Sequence, residues 1–146
     1  MDEHRARNDA SRERLSALLA RVSDAELSRE IGGGWTVAAG LAHLAFWDRA
    51  TLLRWRKRRG GESFVWVPEG LTDVLNDAGL PQWRALDPRA VAADVLAAAE
   101  ELDREIASLP SDLVAEAKER YPRAIERSVH RLAHVVDIER ATGSSG

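Results

Sequence analysis

Residues 35–59 read WTVAAGLAHLAFWDRATLLRWRKRR. No proline interrupts the run, and its spacing predicts one long helix from Trp35 or Thr36 to about Arg59. The first half, VAAGLAHLAFW, is apolar nearly all round, which marks a helix buried on every side. The last turns carry Arg54, Arg56, Lys57, Arg58 and Arg59, and Gly60-Gly61 follows. Cations there suit the negative end of the helix dipole, and glycine suits the C-cap.

The rest of the chain extends the same pattern. Upstream, Leu15, Leu18, Leu19 and Val22 recur at the spacing of an amphipathic helix. Ser23 with Glu26 has the form of a capping box opening a further turn. Gly32, Gly33 and Gly34 then break the chain, with no strand expected before them. Downstream, Asp87 caps and Pro88 opens a third long helix, striped by Val91, Val95, Leu102, Ile106 and Leu109 and closed by Pro110. Residues 111–120 read as a short helix or loop. Pro122 is expected to open a fourth long helix, with Ile125, Val129, Leu132 and Val136 as its apolar stripe. The connection from Gly60 to Asp87 is long for neighbouring helices and is expected to hold a short helix near residues 71–79. Its natural use is a crossover that leaves helices two and three parallel. The expected fold is all-α: a four-helix bundle, up-down-down-up, with residues 1–141 as one domain and 142–146 as a flexible tail.

Composition narrows the function. With 146 residues the chain is long enough for one domain with a substantial core. A net charge of -3, from 21 basic and 24 acidic side chains, argues against bulk nucleic-acid binding. The RWRKRR run at 54–59 resembles a nucleic-acid patch in isolation, but a solvated helix end accounts for it better. Without cysteine there is no disulfide, thiolate nucleophile or Cys-ligated zinc. The charged N-terminus, MDEHRARNDASRER, has no apolar signal region, and no run of about 20 apolar residues suggests a membrane span. The expectation is a cytoplasmic protein with no membrane partner.

The histidines carry the chemistry. His130 and His134 stand four apart in SVHRLAHVVDIER and so share a helix face. His43 lies on the second helix. With helices two and four antiparallel, His43 and His134 both fall about 10–12 Å from one end of the bundle. Three imidazoles plus an open position is the ligand pattern of a catalytic metal centre. The expected stripe puts His130, His134 and Asp137 about 100° or more from its centre, on a flank that lines a cleft. Small residues beside His43, among them Ala39 and Gly40, leave room there. The competing reading makes His43 a hydrogen-bonded core histidine and the pair a solvated flank. Arg131 fills the place a glutamate holds in H-E-x-x-H, which excludes that protease motif. Asp137, at i+3 from His134, is placed to orient an imidazole by a hydrogen bond or to serve as a surface carboxylate. Asp48 is similarly placed after His43. Of five tryptophans, Trp47 and Trp55 read as core, whereas Trp66 and Trp83 read as pins for the crossover, with walls of a substrate cleft as the alternative; Asn76 is a candidate to face the site. His4 is expected in a mobile terminus, apart from the other three.

WTVAAGLAHLAFWDR and HRLAHVVDIERATG resemble the second- and fourth-helix motifs of the DinB-like superfamily, and HVVDIERATG is similar to mycothiol-dependent maleylpyruvate isomerase-type domains. Val136 stands where the isomerase-type pattern has tryptophan. His130 stands where that pattern commonly has glutamate. The resemblance implies an up-down-down-up bundle, a possible homodimer, and a zinc or nickel ion on His43, His130 and His134. It also implies a low-molecular-weight thiol such as mycothiol as cosubstrate, in an S-transferase or isomerase-like reaction. A non-catalytic bundle, stress-related or binding, with a structural or vacant metal site is the alternative. The motifs specify no small-molecule substrate.

Overall fold

The computed structural model describes residues 2–143, and these are overwhelmingly helical. Helix α1 spans Glu3–Arg21 and the single turn α2 spans Asp24–Leu27. Two short strands follow, β1 (Glu30–Gly32) and β2 (Trp35–Thr36). The remaining helices are α3 (Val37–Arg59), α4 (Leu71–Arg84), α5 (Pro88–Ala107), α6 (Ser111–Arg120) and α7 (Ser128–Ala141), with a 3-10 turn at Pro122–Ala124. No helix among the described residues is long and apolar enough to cross a membrane.

The caps lie where the sequence puts them. Ser23 Oγ accepts from the Glu26 amide, and the Glu26 carboxylate accepts from the Ser23 amide. Thr36 accepts from the Ala39 amide at 3.0 Å to start α3, and Asp87 accepts from the Ala90 amide at 2.9 Å to start α5. Every residue of α3 from Val37 to Ala45 is buried, as its apolar run requires. The core divides into two clusters along the bundle: one around Leu15, Leu41, Leu44 and Val95, the other around Trp55, Leu102, Ile106 and Ile125.

Three local expectations are corrected. A strand does precede the glycines: β1 and β2 pair antiparallel, and Gly32, Gly33 and Gly34 turn the hairpin with φ of 108°, 59° and 83°. Successive positive φ values suit glycine alone, so the breaker makes a hairpin rather than a plain loop. The crossover helix α4 runs past Gly79 and Pro81 to Arg84. Gly79 is what allows this, because a Cβ there would lie 2.5 Å from the Trp83 ring. The third correction concerns the entry to α7. The chain passes through a 3-10 turn after Pro122, and α7 begins only at Ser128.

That shift changes which face of α7 is buried. Its inward residues are Ser128, Arg131, Val135 and Ile138, while Val129, expected in the core, is 56% exposed. Arg131 is fully buried. Its two terminal nitrogens donate to the two oxygens of Asp103 at 2.8 and 2.7 Å, and its Nε donates to Asp48 at 3.4 Å. Arg12 donates to Asp103 at 2.6 Å and Arg127 to Asp48 at 3.0 Å. One charged network thus ties α1, α3, α5 and α7. Asn8 fixes the entry to α7 by donating to the Ile125 carbonyl and accepting from the Arg127 amide, both at 2.7 Å. At the far end of α7, the Thr142 hydroxyl donates to the Ile138 carbonyl at 2.8 Å. Positions 144–146 of the expected tail lie outside the described residues.

His4 is also placed differently from the expectation of a mobile terminus. It sits in the first turn of α1, 5% exposed, near Leu109 and Lys118 at the end away from the other histidines.

The Arg131 network yields a stability prediction. Removing one side of a buried charge pair leaves the other unpaired, which costs about 3–5 kcal/mol. Arg131→Ala is therefore expected to lower unfolding stability by that amount in urea titration. Replacing Arg131, Arg127, Asp48 and Asp103 together by apolar residues of similar size is expected to cost much less, because Arg12 keeps Asp9 as a partner. A loss below 1 kcal/mol for Arg131→Ala would show that the network does not hold the helices.

Candidate metal centre

The rotation of α7 set by Arg131 decides where its neighbours point. His130 precedes Arg131 by one residue and His134 follows it by three, so both project from one side of the buried stripe toward α3. His43 meets them from the buried half of α3. Ring centroids are 5.5 Å apart for His43 and His130, 4.9 Å for His43 and His134, and 4.8 Å for His130 and His134. One nitrogen from each ring lies within 4.8 Å of the other two. A tetrahedral ion with bonds of about 2.0–2.1 Å needs nitrogens about 3.3 Å apart, so modest side-chain rotations close the set. His43 Nδ1 is buried with no hydrogen-bond partner among the described residues. A buried imidazole with an unsatisfied nitrogen, beside two further imidazoles, is a donor set that a divalent ion satisfies.

The surroundings keep the imidazoles neutral, the form that ligates. Burial, then the neighbouring His134, lowers the His43 pKa to about 4, against a weaker opposite effect from Asn76. Burial lowers His130 to about 2, helped by the positive charge of Arg127. His134 is lowered by burial and partly restored by the carboxylates of Asp137 and Asp48. Asp137 is exposed, and it reaches His134 through this charge effect. Asp48 points instead into the Arg127 and Arg131 network.

Arg127 constrains His130 further. Its Nη2 lies 3.1 Å from His130 Nδ1. A guanidinium only donates, so Nδ1 accepts and the imidazole proton sits on Nε2. Coordination through Nε2 moves that proton to Nδ1, and coordination through Nδ1 uses the same lone pair. In either case the Arg127 contact and ion binding exclude one another.

Two clefts meet at the histidines. One, of about 360 Å³, is lined by His43, His130, Trp47, Asn76, Arg54, Arg123, Arg127 and Val129 among others. The other, of about 290 Å³, is lined by His43, His134, Asn76, Trp35, Gly40 and Asp137 with Ile31, Gly32 and Ile138. Asn76, which the sequence offered as a candidate, lines both and accepts from Trp47 Nε1 at 2.7 Å. Trp83 packs its ring 5.6 Å from His43 and 5.8 Å from Trp35, closing the buried side. Trp47 is a cleft wall as well as a buried side chain, whereas Trp55 is core and donates to the Ala124 carbonyl at 2.7 Å. Trp66 is 59% exposed, its ring against Phe64 and Tyr121.

The basic run at 54–59 is mostly neutralised. Arg56 pairs with Glu101, Arg58 with Glu116, Arg59 with Glu105 and Lys57 with Glu62. This is a solvated, ion-paired helix end. Arg54 differs and turns into the larger cleft. Arg54 was legible only as the first cation of the 54–59 run, and Arg123 and Arg127 fall on no motif; the fold alone brings the three to one cleft.

The family model described as the DinB superfamily matches residues 7–140. No curated protein and no solved structure matches the chain.

The lowered histidine pKa values predict how the metal-free protein responds to acid. Between the ordinary value of 6.5 and the folded value of about 4 for His43, the unfolded chain binds the proton more tightly. The stabilisation is therefore complete above that window and is lost as pH falls through it. At pH 5 the loss from His43 alone is about 2 kcal/mol. Urea titrations after metal removal are expected to show this decline, and His43→Gln is expected to make it shallower, the remainder coming from His130 and His134. An unchanged acid slope in that variant would contradict the assignment.

Proposed function

The chain belongs to the DinB superfamily, and from that premise we propose that it is a metal-dependent enzyme of the thiol-transferase type. His43, His130 and His134 hold one divalent ion, zinc or nickel. The observation that carries this reading is the convergence of three neutral imidazoles, each with a nitrogen within 4.8 Å of the others. The ion would supply an open position where a small thiol or a water loses its proton more readily. The chain's own residues do the rest. The imidazoles leave the ion its full charge. Trp83 shields the buried side of His43 from water, and the two clefts give access beside His130 and beside His134. Asp137 is proposed to favour the ligated state of His134 through its charge. A low-molecular-weight thiol such as mycothiol is the proposed cosubstrate, and a homodimer the proposed assembly.

The same reading includes the bundle topology, with residues 1–141 as one domain. Ion pairs between α3 and α5 join Arg49 to Asp94, Arg56 to Glu101 and Arg59 to Glu105, with partner numbers rising together. Contacts between α1 and the α7 region rise together too, from Arg7 with Glu126 to Arg14 with Glu139. Those from the α1–α2 segment to α5 run oppositely, Arg12 with Asp103 but Asp24 with Arg89. These registers support an up-down-down-up order for α1, α3, α5 and α7.

A second reading, a binding bundle without catalysis, is favoured by one observation: the Arg127 contact occupies a lone pair that coordination needs. Metal analysis separates the two. One zinc or nickel per chain is expected, with affinity reduced more than about 100-fold in His134→Ala, since even a residue behind a ligand can cost that much. Protein that binds no ion, or binds equally after that substitution, refutes the metal enzyme. Arg127→Gln is expected to tighten binding roughly tenfold, the worth of one charged hydrogen bond, in competition with a chromophoric chelator; weaker binding would contradict the exclusion.

A further inference from the structure

The larger cleft has a charge imbalance that the metal site does not use. Arg54, Arg123 and Arg127 all line it. Arg127 is committed to Asp48 at 3.0 Å. Among the described residues no carboxylate pairs with Arg54 or Arg123. Arg54 Nε is buried without a hydrogen-bond partner, and the guanidinium carbon lies 4.6 Å from the centre of the Phe64 ring. Burial and the nearby charge of Arg127 both disfavour its cationic form. Arg123 is exposed, and its carbonyl accepts from Arg127 at 3.3 Å. The one lining carboxylate, Glu126, is held by Arg7 at 2.6 Å. A half-buried cation whose buried Nε has no hydrogen-bond partner, beside a second cation without a carboxylate partner, is a costly arrangement that an incoming anion offsets.

We propose that Arg54 and Arg123 form an anion subsite in this cleft that takes the carboxylate of a small organic acid. The remaining walls favour an organic acid over a bare inorganic anion. Trp47, Val129 and Ala133 give an apolar side, and His43 and His130 stand at the other end. A space of about 360 Å³ suits a small molecule that spans the guanidinium groups and the imidazoles. The carboxylate matches the planar fork of arginine. The subsite orients the acid with its far end toward the metal position. This assignment of a substrate class rests on the reading of the cleft as the substrate side of the metal centre.

The test uses the full-length protein after its metal, and then the chelator, have been removed. The indole N–H resonance of Trp47 is followed by NMR as benzoate, benzamide or inorganic phosphate is added. Saturable binding of benzoate is expected, with benzamide and phosphate each at least about tenfold weaker. Arg54→Gln and Arg123→Gln are each expected to weaken benzoate at least about fivefold, while Arg120→Gln, outside the cleft, leaves it unchanged. Arg123 is exposed, so its variant remains informative if Arg54→Gln fails to fold. Benzamide binding as well as benzoate, phosphate matching benzoate, or folded arginine variants that keep wild-type affinity would each overturn the proposal. Because no metal is present, failure of the metal centre leaves this titration untouched.

Discussion

The fold turns on one buried guanidinium. Arg131 sits at the centre of the α7 contact face, bidentate to Asp103 on α5 and bonded to Asp48 on α3. A charge with no exposure is tolerable only when its donors are satisfied. Arg131 has five N–H donors in a rigid fork, and their partners come from three other helices. Rotating or sliding α7 would strand that charge, whereas an aliphatic stripe would tolerate small slips. The network thus does for orientation what hydrophobic packing around Leu41, Val95 and Val135 does for compactness.

The histidine geometry follows from this constraint. With Arg131 fixed, His130 and His134 are carried to the α3 side at the level of His43. Asp48 takes part in both halves of the account. It neutralises Arg131 in the core, and through Arg127 it anchors the guanidinium that touches His130. Arg127 is therefore shared between structure and site: its Nε belongs to the core, and its Nη2 competes for the imidazole. The two clefts also differ in character. The one beside His130 carries unpaired cationic groups, and the one beside His134 carries Asp137. Molecules of different charge would be steered to different sides of the same three nitrogens.

Much of this was legible in the sequence. The capping residues Ser23 and Asp87 and the apolar run of α3 located the helices, because those signals depend on chemistry within a few residues. The three histidines were legible from i, i+4 spacing and a level argument. Arg131 was not. A stripe found by counting apolar residues selects Val129 and Val136 and skips an arginine, whose burial depends on carboxylates 28 and 83 positions away. The same tertiary dependence hid the hairpin, whose strands are too short to show alternation. It also hid the full length of α4, where Gly79 reads as a breaker but makes room for Trp83. His4 looked terminal because nothing local reveals that α1 begins at Glu3.

The central claim is that α7, locked by Arg131, presents two imidazoles to a third on α3 as one metal-binding set. X-ray absorption at the zinc edge of the zinc-loaded protein tests it most directly. The account predicts three imidazole nitrogens at about 2.0 Å with the outer-shell scattering of histidine rings and one further light-atom ligand. A shell of oxygen atoms alone, or a spectrum with a single histidine, would contradict it.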